Sequence, residues 1–245
     1  MPNTRDLGGI INKDGLKIKS HKLIRSGRLF ESSENDLRTL YEEYDVRHIV
    51  DLRVYEEVSD CPDKIYKDTT YSHLTAMADK NGLSQDEQTK KARYQFIEDI
   101  ENTFRNAPET AIKHMENFYR DLVNSFSIKQ YSKFLLDLIT CENATLWHCS
   151  LGKDRAGIAT VLILECLNVD KETILEDYLY STECLFKEDK PINSIQGYFD
   201  YAHIEYVKAW YDEVNEMYGD INDLLKLMGV SEKEKQLLKD KYLEK

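Results

Sequence analysis

The segment that most narrows what this chain can fold into runs from Ala144 to Leu164. The short run Ala144-Thr145-Leu146-Trp147 leads into His148-Cys149-Ser150-Leu151-Gly152-Lys153-Asp154-Arg155-Ala156-Gly157, and the apolar stretch Ile158-Ala159-Thr160-Val161-Leu162-Ile163-Leu164 follows. The first run reads as a buried strand and the last as a buried helix. The loop between them must therefore wrap over a helix N-terminus, where unpaired N–H groups and the helix dipole favour an anion. Cys149 stands at the bottom of that bowl, where the positive surroundings favour the thiolate, its nucleophilic form. Arg155 adds a planar fork whose parallel N–H bonds can hold two phosphoryl oxygens while charge spreads over them. Cys-x5-Arg alone is a loose pattern. His148, the Gly152 of a close backbone approach, the Lys153-Asp154 pair, Gly157 and the strand-to-helix switch make it specific, against the alternative of an inert buried cysteine.

The chain resembles bacterial cysteine-dependent phosphatases whose loop reads His-Cys-x-x-Gly-Lys-Asp-Arg-Ser/Thr-Gly. The likeness extends to Asn3-Thr4-Arg5-Asp6-Leu7-Gly8-Gly9, to Leu23-Ile24-Arg25-Ser26-Gly27-Arg28-Leu29, to Val50-Asp51-Leu52-Arg53 with Glu56 and Glu57, and to Met217-Tyr218-Gly219 and Leu227-Met228-Gly229-Val230. It implies a mainly parallel α/β sheet flanked by helices, and a phosphomonoester hydrolase acting through a phosphocysteine on phosphotyrosine proteins or phosphoinositides. Cys149, Asp154 and Arg155 would be catalytic, and Ser150, Leu151, Gly152, Lys153 and Arg155 would bind substrate. One departure is Ala156, where the family carries a hydroxyl able to help the cysteine sulfur leave. A phosphate-binding module without turnover is the alternative, resting on Ala156 alone; a sulfur-transfer or arsenate-reducing enzyme fits Gly-Lys-Asp-Arg less well.

Other residues leave choices open. Asp154 could protonate the leaving oxygen, or merely pair with Lys153 or cap the helix. Asp121 is the rival acid, although Phe118-Tyr119-Arg120-Asp121-Leu122 reads as helix. His148 points away from the nucleophile by strand alternation and would orient the loop. Asp51 and Arg53 could buttress it or form a structural ion pair. Tyr198, Tyr201, Tyr206, Trp210 and Tyr211 read as packing.

A single domain over residues 1–245 suits this length. The net charge of −12 argues against nucleic acid as a partner. Residues 1–28 nevertheless carry +5, either a solvated lysine-rich hairpin or a basic rim beside the phosphate site. The N-terminus lacks a signal-peptide layout, and no apolar run nears the roughly 18 residues that span a bilayer. A cytoplasmic location is expected, with export lacking a signal peptide left open. Five cysteines without a Cys-x-x-Cys pair suit a reducing compartment. No metal or cofactor is expected, and nothing fixes the oligomeric state.

Strands are expected at 48–52, 69–74 and 145–148, and a hairpin at 10–18 around Asp14-Gly15. A helix capped at Ser33 should follow, then helices near 86–105, 109–125, 128–141, 155–168, 171–187, 194–217, 220–228 and 232–243. Strands alternating with helices imply a parallel sheet covered on both faces, with ligands at the strands' carboxyl ends. Residues 77–108, charged and thinly apolar, read as a surface helix or as a helical lid insertion over the site.

Overall fold

A computed structural model describes residues 1–77, 102, 110–186 and 195–245. The lid expectation for residues 77–108 lies almost wholly outside them. The strands are β1 (Arg5–Asp6), β2 (Lys17–Ile18), β3 (Leu23–Ser26), β4 (Val46–Asp51), β5 (Thr70–His73), β6 (Ala144–His148) and β7 (Leu243–Glu244). Five of them form one sheet in the order β1-β3-β6-β4-β5, and β2 pairs with β7. All pairings in the large sheet are parallel except β1 with β3. The expected mainly parallel sheet is thus present, with β6 at its centre.

Alternation along the strands decides which residues meet which layer. Leu23, Val50 and Trp147 face the larger apolar core, whereas Ile24, Ile49 and Leu146 face a smaller one closed by Leu40. Leu40 belongs to α1 (Glu34–Glu42), which starts at a capping box between Ser33 and Asp36. Both faces are covered, as parallel strands require.

The remaining helices are α2 (Tyr55–Asp60), α3 (Thr110–Asp121), α4 (Ser125–Thr140), α5 (Arg155–Cys166), α6 (Lys171–Leu185), α7 (Ile195–Asp200), α8 (Ile204–Tyr218), α9 (Ile221–Leu227) and α10 (Glu232–Tyr242). Apart from Glu165, every residue of α5 is buried, which is why its sequence is apolar all round. Helix α4 begins ahead of the expected residue 128 because the Asn124 side chain accepts from the amides of Phe126 and Ser127. The single helix expected over 194–217 is broken at Tyr201–His203, where Ala202 N–H donates to Thr182 Oγ1 at 2.9 Å. A tertiary bond has overridden helical propensity there. Among the described residues, no helix is long and apolar enough to cross a membrane.

The expected hairpin at 10–18 turns at Gly15, whose φ of 75° suits glycine. Its tip docks on the end of α5: Lys13 N–H donates to Asn168 O at 3.0 Å, and Asn12 Nδ2 to Leu167 O at 2.9 Å. Helix α5 is about 18 Å long at 1.5 Å per residue, so this tip sits at the opposite end from Cys149. The tip with Lys13 therefore lies away from the loop, whereas Arg25 and Arg28 of the same basic stretch bond the loop carbonyls.

Candidate active site

Cys149 directly follows β6 and is buried to 1% exposure. The next four carbonyls are all drawn outward by the scaffold. Ser150 O accepts from Arg28 N–H at 3.1 Å, Leu151 O from Asn3 Nδ2 at 3.2 Å, Gly152 O from Arg25 Nε at 2.8 Å and Lys153 O from Arg25 Nη2 at 3.1 Å. Because a trans peptide sets C=O and N–H on opposite sides, the amides of Leu151, Gly152, Lys153 and Asp154 turn the other way, toward the concave face. Such converging N–H groups form an anion-binding concavity. Gly152 has a φ of 70°, and a Cβ built on it would lie 2.5 Å from Ser26 O, so the loop can lie this close to β3 only with glycine there.

Arg25 is itself held from behind. Its Nη1 lies 2.7 Å from Asp177 Oδ2, and Arg5 Nε lies 2.9 Å from Asp177 Oδ1. Ser181 Oγ accepts from both arginines. Burial and the nearby Arg5 push the Arg25 guanidinium down to about 10, which still leaves it charged at neutral pH. Burial pushes the Asp177 carboxyl up, but the two arginines outweigh it and hold the group below the usual carboxylate range. Arg5 and Arg25 were visible in the sequence only as motif residues and as charge. Asp177 and Ser181 gave no signal.

At the start of α5, Arg155 is held by Glu57 through both terminal nitrogens, with Nη2 3.0 Å from Glu57 Oε1 and Nη1 on Oε2. Ser150 Oγ donates to the same carboxylate. Burial disfavours the charged guanidinium, but Glu57 more than offsets this and raises its pKa. The Arg155 Nε is buried with no hydrogen-bond partner among the described residues. Glu57 therefore occupies the end of the fork, while Nε–H is left without a protein partner among the described residues. Sequence reading noted Glu57 only in a motif and missed α2, a short helix whose N-cap residue, Val54, donates its N–H to Glu57 Oε2 at 3.0 Å.

The two charged residues between glycine and arginine turn elsewhere. Asp154 Oδ1 accepts from Tyr119 OH at 2.6 Å, and Tyr178 OH in turn lies 2.7 Å from Tyr119 OH. Burial, then the charge of Asp154, raises Tyr119 well above its ordinary value, so it remains a neutral donor. Lys153 is fully buried; its Nζ donates to Phe199 O and, at 3.1 Å, to Tyr201 O, and lies 3.3 Å from Asp154 Oδ1. The Asp154 side chain makes no helix-cap bond. Asp121 ends α3 at an exposed position, helical as expected.

Beneath the loop lies a buried charged cluster. Arg53 Nε and Nη2 grip Asp51, with Nη2 2.7 Å from Oδ2. The same Nη2 reaches Asp63 Oδ2 at 3.0 Å, and His148 Nε2 lies 2.8 Å from that oxygen. His148 Nδ1 is 3.1 Å from Cys149 O, so the ring ties the cluster to the nucleophile's own backbone. Asp51, Asp63 and His148 bring ligand-type atoms within 4.8 Å of one another, but Arg53 already supplies the cation between the carboxylates. Asp63 had not been read as a site residue.

Burial pushes the Asp51 carboxyl up, yet His148 and Arg53 together hold it down at about 2. A folded-state value below the unfolded one gives stability that is present above about pH 4 and lost as pH falls toward about 2. Asp51→Asn is expected to cost about 3 kcal/mol at neutral pH, because Arg53 loses its doubly bonded carboxylate and keeps only Asp63 as a charged partner. It should also flatten the acid limb. Urea midpoints measured across pH for both proteins check this, and an unchanged acid limb would contradict it.

Comparison with known proteins identifies the family. The sequence model of the tyrosine phosphatase family matches residues 1–244. The triple specificity protein phosphatase PtpB of Mycobacterium tuberculosis is 25% identical over 246 residues, covering 85% of this chain and 88% of that protein. A tyrosine-protein phosphatase of Nostoc commune is 24% identical over 231 residues, covering 87% and 70%. A protein of Cupriavidus necator to which a tyrosine-protein phosphatase activity is ascribed by name is 26% identical over 183 residues, covering 74% of this chain but only 60% of its own length. A family match running over nearly the whole sequence decides the assignment: the chain belongs to the tyrosine phosphatase family.

Proposed function

We propose that this chain hydrolyses phosphotyrosine in proteins through a phosphocysteine intermediate. The outward tethering of the Ser150, Leu151, Gly152 and Lys153 carbonyls carries the reading, because it supplies an inward set of amides beside a buried cysteine. The open Nε side of Arg155 supports it. Cys149 Sγ attacks phosphorus, the S–P bond forms and the P–O bond to the phenol breaks. Asp154 gives its proton to the departing oxygen. A water then attacks phosphorus, the S–P bond breaks, and Asp154 takes back a proton from that water. Inorganic phosphate leaves.

A cysteine this buried suits a long phosphoryl carrier such as the tyrosine side chain. Phosphoinositides stand second in this proposal, because the ammonium of Lys153, the loop charge suited to extra phosphates, is bonded to Phe199 O and Tyr201 O. Retention of Cys149, Asp154 and Arg155 together favours turnover over passive phosphate capture.

The acid role of Asp154 is tested by leaving group. General acid assistance contributes roughly 10²–10⁴-fold where the leaving oxygen is basic. Asp154→Asn should therefore slow alkyl phosphates by about that factor and a highly acidic phenyl phosphate by less than about tenfold. An equal loss across the series would give Asp154 a structural role and return Asp121 to consideration.

A further inference from the structure

Lys153 has no exposure, yet it belongs to a loop that the proposed function fills with phosphate. An ammonium has three donors and no acceptor. Here it faces three oxygens, Phe199 O, Tyr201 O and Asp154 Oδ1, so its capacity is spent inside the protein. Two of those acceptors stand at the C-terminal end of α7, where carbonyls lack helical partners and the dipole favours a cation. The helix break at Tyr201–His203 presents them, and Ala202 N–H to Thr182 together with Tyr206 OH to Tyr198 O holds the break in shape. On the loop side, Lys153 O is fixed by Arg25. Turning the ammonium toward a substrate would break all three of these contacts at once.

We propose that Lys153 is a positioning residue: its side chain locks the phosphate loop to the turn between α7 and α8 and orients Asp154, while only its backbone amide faces the phosphoryl group. This rests on the proposed role of Asp154. It distinguishes the Lys153 side chain from a ligand for additional phosphates, the role its place in the loop first suggests.

The test uses Lys153→Met and Lys153→Arg in the full chain. The methionine keeps the length of the side chain without the charge; the arginine keeps the charge but does not match three convergent acceptors. Each is assayed on a phosphotyrosine peptide and on a soluble trisphosphorylated inositol head group, with inhibition by inorganic phosphate and hydrogen exchange over residues 199–203 measured alongside. Both variants are expected to lose kcat by the same factor on the two substrates, to change the phosphate inhibition constant less than about threefold, and to exchange faster at 199–203. In an Asp154→Asn background, Lys153→Met should add little. A loss under Lys153→Met that grows with the number of substrate phosphates and is restored by Lys153→Arg would overturn the proposal. So would unchanged exchange at 199–203. If the wild type turned over no phosphate ester, the proposed function would fail instead, and phosphate binding and exchange would still decide the place of Lys153.

Discussion

Cys149→Ser should abolish turnover by at least about 10⁴-fold, equivalent to roughly 5 kcal/mol of barrier, while leaving phosphate binding close to that of the wild type. The exchange replaces sulfur by a smaller oxygen in a fully enclosed position, so the fold loses little. The chemistry loses its nucleophile. A hydroxyl is a far weaker nucleophile than a cysteine sulfur, and the loop amides and Arg155 then surround a group that cannot attack. Inorganic phosphate should still bind, since the outward-tied carbonyls and the Arg155 fork are untouched. The measurement is kcat on a chromogenic aryl phosphate beside the phosphate dissociation constant. Residual activity within tenfold of wild type would remove Cys149 from the reaction.

Arg155→Lys should lower kcat/KM by about 10³-fold or more. A lysine brings charge but no planar fork. Arg155 is held by Glu57 at its end and keeps an unpartnered Nε–H for a second acceptor. A single ammonium can satisfy one of them, and the half-buried Glu57 carboxylate would compete with the substrate for it. The loss should appear mainly in kcat, because bonds that strengthen as charge spreads over the phosphoryl oxygens are made most fully in the transition state. A loss confined to KM would mean that Arg155 binds without discriminating, and a variant near wild type would end the cradle reading.

Much of this site was legible because it is local. The strand, the glycine and the helix start are consecutive, and the physics that joins them acts over a few residues. Ser33 and Ser231 likewise announced their capping boxes, found with Asp36 and Glu234. What stayed hidden depends on the sheet. Asp177 is a plain acidic residue on an amphipathic helix until packing sets it against Arg5 and Arg25. Tyr119 was visible only as part of a helix, and no spacing rule aims its hydroxyl at Asp154. The identity of Lys153 could be read but its direction could not, since a loop side chain follows whatever acceptors the fold brings near. Helix α2 escaped because six residues with three acids show little apolar period.

The placement of β6 also bears on how the molecule assembles. Strands β3 and β4 follow one another along the chain, yet they are not neighbours; the strand that ends at the nucleophile inserts between them and pairs with both. Until residues 144–148 have left the ribosome, the earlier part can form only two separate ribbons, β1 with β3 and β4 with β5. Synthesis at roughly 5–20 residues per second leaves their inner edges unpaired for on the order of ten seconds. Sheet closure and creation of the catalytic loop are then one event. A chain stalled before it has no continuous sheet, and a chain past it gains the backbone of the loop, which Asp177, Phe199 and Tyr201 then fix through Arg25 and Lys153.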